Sequence, residues 1–439
     1  MRAALVGKRR YKVAMHGVPR AFMKVRGWRG DPLARLIASH GRVTDPYPLM
    51  EEIRARGTLV CAPFTWVSVD HRICRELLRD KRFDVTSPSA MDVPRPLQRM
   101  IARTDAPGVA NPVEPPAMVV VDPPEHTRYR QLVAQSFTPR AIDRLSARVT
   151  EVTDELIERL AATPNPDLIA DFASLLPVAV IGEILDLPSD SHPQMLKWGH
   201  SGAPLLDIGI GWRTYRQAIA ALRDADHELR ERFRQLRSGE VGDNPFSRLA
   251  AHGSLTDHEF TANAALLIGT GFETTVNLIG NGIMLLLQHP DQLARLRDDP
   301  ELWPSAVEEI LRIDSPVQMT ARTAHCDVDI AGQHIGAGDM VGLLLGGANR
   351  DPQVFARPAD FDITRANARD HLAFASGIHA CLGAALARVE GTTALRALFE
   401  AFPDLALTAP PQRRGLVNLR GIARMPAHLG TRSAAPLRA

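Results

Sequence analysis

Phe374-Ala-Ser-Gly377-Ile-His379-Ala-Cys381-Leu-Gly383 is the stretch on which the reading of this 439-residue chain turns. A cysteine lies between glycines there, just ahead of a helical pattern that runs from about Leu382 to Phe402. The N-terminus of a helix presents free N–H groups and the positive end of a dipole, and both stabilise a thiolate. Glycines at 377 and 383 let the backbone approach a large flat ligand with no Cβ in the way. A thiolate offered in this manner suits the axial position of a haem iron, where it donates electron density that favours O–O cleavage. For an arbitrary cysteine, a buried structural role is the commoner outcome. The neighbouring Phe, Gly and His weigh against it here.

Working outward, the strongest single element lies upstream. Thr256-Asp-His-Glu259 has the form of a capping box, and the helical pattern then runs to His289, where Pro290 stops it. Some 34 residues at 1.5 Å each predict a rod of roughly 50 Å. It is apolar almost all round from Ala262 to Leu287, so burial on every side is expected. Inside it, Gly271-Phe-Glu273-Thr274 places an acid and an alcohol where neither is cheap unless bonded. The small residues at 269 and 271 could open a groove, and a locally broken i→i−4 bond there would leave room for a diatomic ligand. The plainer reading is a threonine bonded back to its own helix and a glutamate at a crevice.

The remaining pattern is mostly helical with short strands. Tyr47–Gly57 reads as a helix ending at glycine, and Thr58–Val69 as a hairpin around Ala62-Pro63. Asp84–Val121 is proline-rich and aperiodic, which suggests a lid or binding loop. Helices are expected at about 124–137, 139–162, 170–186 and 212–238, with a Gly/Pro-interrupted segment at 197–212. Ser305-Ala-Val-Glu308 looks like a second capping box. Residues 326–345 read as strands, 351–370 as a meandering loop, and 416–424 as a last strand or hairpin.

Composition excludes several classes. With 45% hydrophobic and 23% charged residues the chain is core-forming, neither disordered nor fibrous. Its four cysteines show no C-x-x-C spacing, which argues against a zinc ribbon or redox pair and fits a reducing cytosol. The N-terminus lacks the apolar core of an export signal, so a cytoplasmic location is expected. A formal charge of +2 carries no nucleic-acid signal. It conceals nine Lys/Arg and no Asp/Glu in residues 1–30. That arm reads most simply as a solvated, poorly ordered tail over residues 1–40. Met15, Val18, Phe22 and Val25 do fall at the spacing of a membrane-surface helix, although Gly17 and Pro19 interrupt it.

The cysteine segment resembles the haem-binding loop of the cytochrome P450 family, F-G-x-G-x-H-x-C-x-G, with Ala375 in place of the first glycine. Four further stretches fit in the expected order. Gly271-Phe-Glu273-Thr274 resembles A-G-x-(D/E)-T, with Thr270 in place of the alanine. Glu309-Ile-Leu-Arg312 is similar to E-x-x-R, a spacing that also occurs at Glu51/Arg54, Glu76/Arg79, Glu125/Arg128 and Glu231/Arg234. His126-Thr-Arg-Tyr-Arg130 resembles the H-x-x-x-R helix. Phe355 to Arg365 is similar to the F-x-x-P-x-x-F-D-x-x-R meander of soluble bacterial members.

The resemblance implies a mainly α fold with small β-sheets, in which haem b sits between the long buried helix and the cysteine loop. Residues 41–432 would then form one domain, with 433–439 a tail, although length alone suggests about three domains. It implies Cys381 as the iron ligand and His126, Arg130, Arg322 and His379 as partners of the haem propionates. Thr274 is implied to bond dioxygen, Glu273 to help deliver protons, and the Glu309/Arg312 pair to lock the meander to the cysteine loop. The reaction implied is insertion of one oxygen atom of O2 into a hydrophobic small molecule. Only 58 residues follow Cys381 and no flavin or iron–sulfur motif is present, so a separate ferredoxin with its reductase is expected to supply electrons. Arg128 and Arg388 are candidates for docking it. A peroxide-using peroxygenase and a non-catalytic haem-containing ligand binder are the alternatives. Pocket walls are expected from 84–121, 197–212, 266–274, 315–320 and 418–421.

Overall fold

A computed structural model of the chain describes residues 18–39, 45–62, 65–85, 110–237 and 254–433. Its helices are α1 Val18–Trp28, α2 Pro32–Ala38, α3 Tyr47–Arg54, α4 His71–Leu77, α5 Glu125–Ala134, α6 Pro139–Ala161 and α7 Leu175–Ile184. They continue with α8 His192–Gly202, α9 Trp212–Arg237, α10 Asp257–Gln288, α11 Pro290–Asp298, α12 Trp303–Ile313, α13 Leu345–Ala348 and α14 Ala384–Ala401. The strands are β1 Val60–Ala62, β2 Thr65–Ser68, β3 Phe83–Val85, β4 Thr320–Ala324, β5 Val328–Ile330, β6 Gln333–Ile335, β7 Met340–Leu343, β8 Ala406–Leu407, β9 Gln412–Arg413, β10 Ile422–Arg424 and β11 Ala427–His428. The fold is mainly helical with small sheets, as expected.

The rod of the sequence reading is α10. Thr256 Oγ1 accepts the Glu259 N–H, and Glu259 Oε2 accepts the Thr256 N–H at 2.8 Å, so the capping box is complete. Most of its residues from Phe260 to Leu286 are buried, because α7, α8, α9, α12 and α14 all pack against it. The partly exposed residues in its middle, Gly269, Thr270, Gly271 and Thr274, mark an opening in an otherwise closed surface. The helix itself is assigned without a break there. The Thr270 and Thr274 hydroxyls donate to the carbonyls of Leu266 and Thr270, each at 2.7 Å, so both are turned back onto the helix beside the opening.

The main sheet has the order β1-β2-β7-β4-β3, with β2 and β7 parallel and the other pairs antiparallel. The hairpin expected over Thr58–Val69 is β1–β2, with Val60 opposite Val67 and Ala62 opposite Thr65. Arg322 sits mid-strand in β4, opposite Val85 on one side and Val341 on the other. Alternation puts its side chain on the same buried face as Ala324.

Three expectations change. Residues 18–39 are not a loose arm. Asp31 caps α2 by accepting the Ala34 N–H, and Leu33, Leu36 and Ile37 bury its inner face. Pro19 therefore stands in the first turn of α1, where proline is tolerated, rather than interrupting it. Residues 1–17 lie outside the described residues. The segment 197–212 is not a plain interruption either, because α8 runs through Gly199 and Gly202. A Cβ at Gly199 would overlap the Phe272 ring of α10, so glycine is there for close helix contact. Ser305-Glu308 is no cap. Pro304 in the first turn starts α12 at Trp303, Ser305 donates to the Ile363 carbonyl, and Glu308 is drawn into ion pairs. Most of the 84–121 loop, residues 86–109, lies outside the described residues.

Candidate active site

The cysteine loop enters α14 through a tight turn. Cys381 donates its backbone N–H to the Phe374 carbonyl at 2.9 Å, which closes the loop on itself. Ala375 has φ +56°, the left-handed region where glycine would sit without strain. Gly377 has φ +76°, and a Cβ on it would overlap the Leu78 carbonyl at the end of α4. That glycine therefore serves the seating of the loop on α4. Gly383 has an ordinary φ of −85°, and its N–H is directed at the Cys381 sulfur. The thiol is exposed, yet it is enclosed closely enough that burial pushes its pKa up. The Gly383 N–H and the charges of Arg130 and Arg388 act the other way, and they do not outweigh burial.

Four residues singled out in the sequence converge beside this loop. His126 and His379 lie ring against ring, centroids 4.1 Å apart and planes tilted by 51°. Arg130, one turn beyond His126, donates to the Ala380 carbonyl at 2.8 Å. Arg322 is buried and donates to the Ala321 carbonyl, with no carboxylate ion pair among the described residues. Asp122, which the sequence reading passed over, ties the group together. Its Oδ1 lies 3.3 Å from His379 Nε2, and its Oδ2 accepts the Val85 N–H. One carboxylate does not balance these cations. Burial, with the charges of His379 and Arg130, pushes His126 down to about 4. Burial likewise pushes Arg322 down to about 10. Groups driven toward neutrality in this way mark a place short of negative charge. A dianionic ligand would supply it.

Glu273 and Thr274 are neighbours that face different surroundings. Thr274 is partly open, and its hydroxyl is turned back to Thr270, the plainer of the two readings. Glu273 is fully buried, in contact with Arg414 as an ion pair without a well-aligned hydrogen bond, and 3.8 Å from His200 Nε2. Burial holds Arg414 down at about 10 and, with the Arg414 charge, His200 at about 4. Neither partner carried a sequence signal: Arg414 lies 141 positions downstream in no motif. A further buried acid lies against the same helix, α10. Glu390 of α14 is buried against Thr275, with Oε1 unpartnered, and burial pushes it up to about 8.

Beside Gly269 lies an apolar pocket lined by Pro112, Trp198, Gly202, Leu206, Leu222 and Ile268. This agrees with walls from 197–212 and 266–274. Residues 315–320 and 418–421 are not in that lining; they bond each other, through the Val317–Leu419 bridge and the Gln318 N–H to Asn418 carbonyl contact. The expected docking cations are already engaged: Arg128 with Glu259, and Arg388 with Glu308 at 2.6 Å. Glu309, Arg312 and Arg365 form a buried network whose arginines reach the carbonyls of Asn349, Ala356, Pro358 and Asp360. That network holds the meander in place. The tie to the helix after the cysteine comes from Glu308, which also meets His371 at 3.0 Å.

A long buried helix packed on the helix that follows an open thiol, with under-balanced cations beside that thiol, fits the class of haem-thiolate oxidoreductases. A family model for cytochrome P450 matches residues 212–414. A cytochrome P450 140 of Mycobacterium tuberculosis is 45% identical over 426 residues, covering 95% of this chain and 97% of the relative. The vitamin D(3) 25-hydroxylase of Pseudonocardia autotrophica is 41% identical over 341 residues, 76% of this chain and 81% of that one. The crystal structure of P450BioI with an acyl carrier protein ligated to hexadec-9Z-enoic acid superposes with a TM-score of 0.81 at 32% identity, covering 88% and 99%. The chain belongs to the cytochrome P450 family, and is a haem b-dependent monooxygenase.

Proposed function

We propose that Cys381 ligates the haem iron and that His126, Arg130, Arg322 and His379 hold the propionate groups. The reading is supported above all by the buried, under-balanced cation group beside an open thiol. Bound haem supplies the oxygen chemistry. The chain's residues supply position and protons. Thr274 can accept a hydrogen bond as it stands, and must turn from the Thr270 carbonyl to donate one. Glu273 is paired with Arg414, so a part in proton delivery requires that pair to loosen. The substrate is a hydrophobic small molecule, taken up between α8, α9 and the middle of α10, where the lining is apolar. The relatives named for vitamin D(3) and for an acyl chain agree with this class. The test of the ligand is direct. Reduced under carbon monoxide, the wild-type protein should give the absorption band of thiolate-ligated haem, and Cys381→Ser should lose it. Persistence of the band in that variant would end the proposal.

Electrons come from a separate ferredoxin and its reductase, docked where the cysteine loop meets the end of α4. Arg72, Arg75 and Arg79 are exposed there at i, i+3 and i+7, and Gly377 touches the backbone at Leu78 and Arg79. Reversing the three charges should raise the KM for ferredoxin at least ~10-fold at low salt and flatten its salt dependence, with substrate affinity unchanged. Peroxide-driven turnover that ignores the electron donor would instead favour the peroxygenase alternative.

A further inference from the structure

We propose that α1, together with the adjoining loop at 207–211, is a docking face for an anionic lipid surface. A helix lying on a protein normally turns its apolar side inward. This one turns Met23 inward but leaves much of its apolar surface outward. Its half-buried residues are Arg20, Met23, Arg26 and Gly27, with Arg26 paired to Asp31 and Gly27 lying against Arg35 of α2. Its exposed residues are Ala21, Phe22, Lys24, Val25, Trp28 and Arg29. Trp28 is 86% exposed and Val25 43%. At 100° per residue, Trp28, Ala21 and Val25 fall within roughly 60° of one another, with Lys24 on one edge and Arg29 on the other. An apolar strip between cations, carrying an exposed tryptophan, is the pattern of a helix lying in a membrane interface.

Two observations extend the face. Gly211 lies against the Arg20 guanidinium, so the 207–211 loop borders α1, and Ile208 in that loop is 42% exposed. Leu206, next to this loop, lines the apolar pocket. Docking would therefore bring the pocket's flank toward the bilayer.

Charge selects the occupant. Residues 1–30 hold nine Lys/Arg and no Asp/Glu, five of the nine directly ahead of α1. Like charge opposes a second copy on this face. An acidic electron donor would use the cations but leave the apolar strip uncovered, and it must reach the cysteine loop. An anionic bilayer uses both, each cation near it being worth about five-fold in affinity. No helix among the described residues is long and apolar enough to cross a membrane, so the contact is with the surface.

The full-length, haem-loaded protein should co-sediment with phosphatidylcholine vesicles containing phosphatidylglycerol, weakly with phosphatidylcholine alone, and less as salt rises. Val25→Asp with Trp28→Asp should lower partition at least ~10-fold. Lys24→Glu with Arg29→Glu, whose side chains are exposed, should remove the preference for anionic vesicles without disturbing α1. Wild-type protein that stays in the supernatant would overturn the proposal. So would binding that both variants leave intact, or a Trp28-dependent dimer in place of vesicle binding.

Discussion

Glu390 shows how one buried carboxyl can set the pH response of the protein. Its ordinary value of 4.5 is pushed to about 8 by burial, against a hydrogen bond with Thr275. Below about pH 4.5 the group is protonated in folded and unfolded chains alike. Between there and about 8 the unfolded chain releases the proton while the folded chain keeps it, so stability falls as pH rises through that window. Glu390→Gln keeps a partner for Thr275 and has no proton to lose. It should match the wild type near pH 4.5 and exceed it by a few kcal/mol near pH 8, at ~1.4 kcal/mol per pKa unit. Denaturant midpoints at the two pH values measure this, and parallel pH profiles for both proteins would contradict it. Ala375 illustrates the opposite legibility. The family motif marks a glycine there, and the left-handed φ of +56° gives the reason.

At the scale of elements, the contact of α8 with α10 is the least forgiving. The helices approach where Gly199 faces Phe272, which is buried at 0% exposure and cannot swing into solvent. Gly199→Ala should cost ~1–3 kcal/mol by overpacking, read from the denaturant midpoint. Phe272→Leu in the same chain should recover part of the loss, since the clash is with the ring; additive effects would argue against this contact. Glycine in the sequence reads as an interruption of 197–212, because propensity penalises it mid-helix. Packing overrode propensity. The same happened at α12, where a capping box in sequence became an ion-pair hub. The Thr256 box survived because the Glu259 oxygens also meet Arg128 and Tyr129.

For the molecule as a whole, the question is which charges are locked inside. Five Glu/Arg pairs share the i, i+3 spacing, and their fates differ. Glu231/Arg234 is a surface pair at 2.7 Å, while Arg54, 3.0 Å from Glu51, is mostly buried and also reaches Asp351 and the Val69 and Gly347 carbonyls. Arg128 pairs with Glu259 instead of Glu125. Only Glu309/Arg312 is wholly buried, both side chains at 0% exposure, with Arg365 joining it. Glu309→Gln strands two buried arginines and should cost ~3–5 kcal/mol. Glu231→Gln should cost under ~1 kcal/mol. Thermal or chemical unfolding of the two variants compares them, and equal losses would refute the distinction. The sequence by itself determined the long rod, the cysteine loop and the order of the motifs, because periodicity, caps and special residues act over a few positions. The resemblance to the family, not any local pattern, implied His126, Arg130, Arg322 and His379 as one set. Tertiary structure alone decided that Asp122 ties that set together, that Arg414 and His200 surround Glu273, and that the apolar strip of α1 faces outward. Those outcomes depend on burial and on charges brought together from positions as much as 257 residues apart, and no local pattern encodes either.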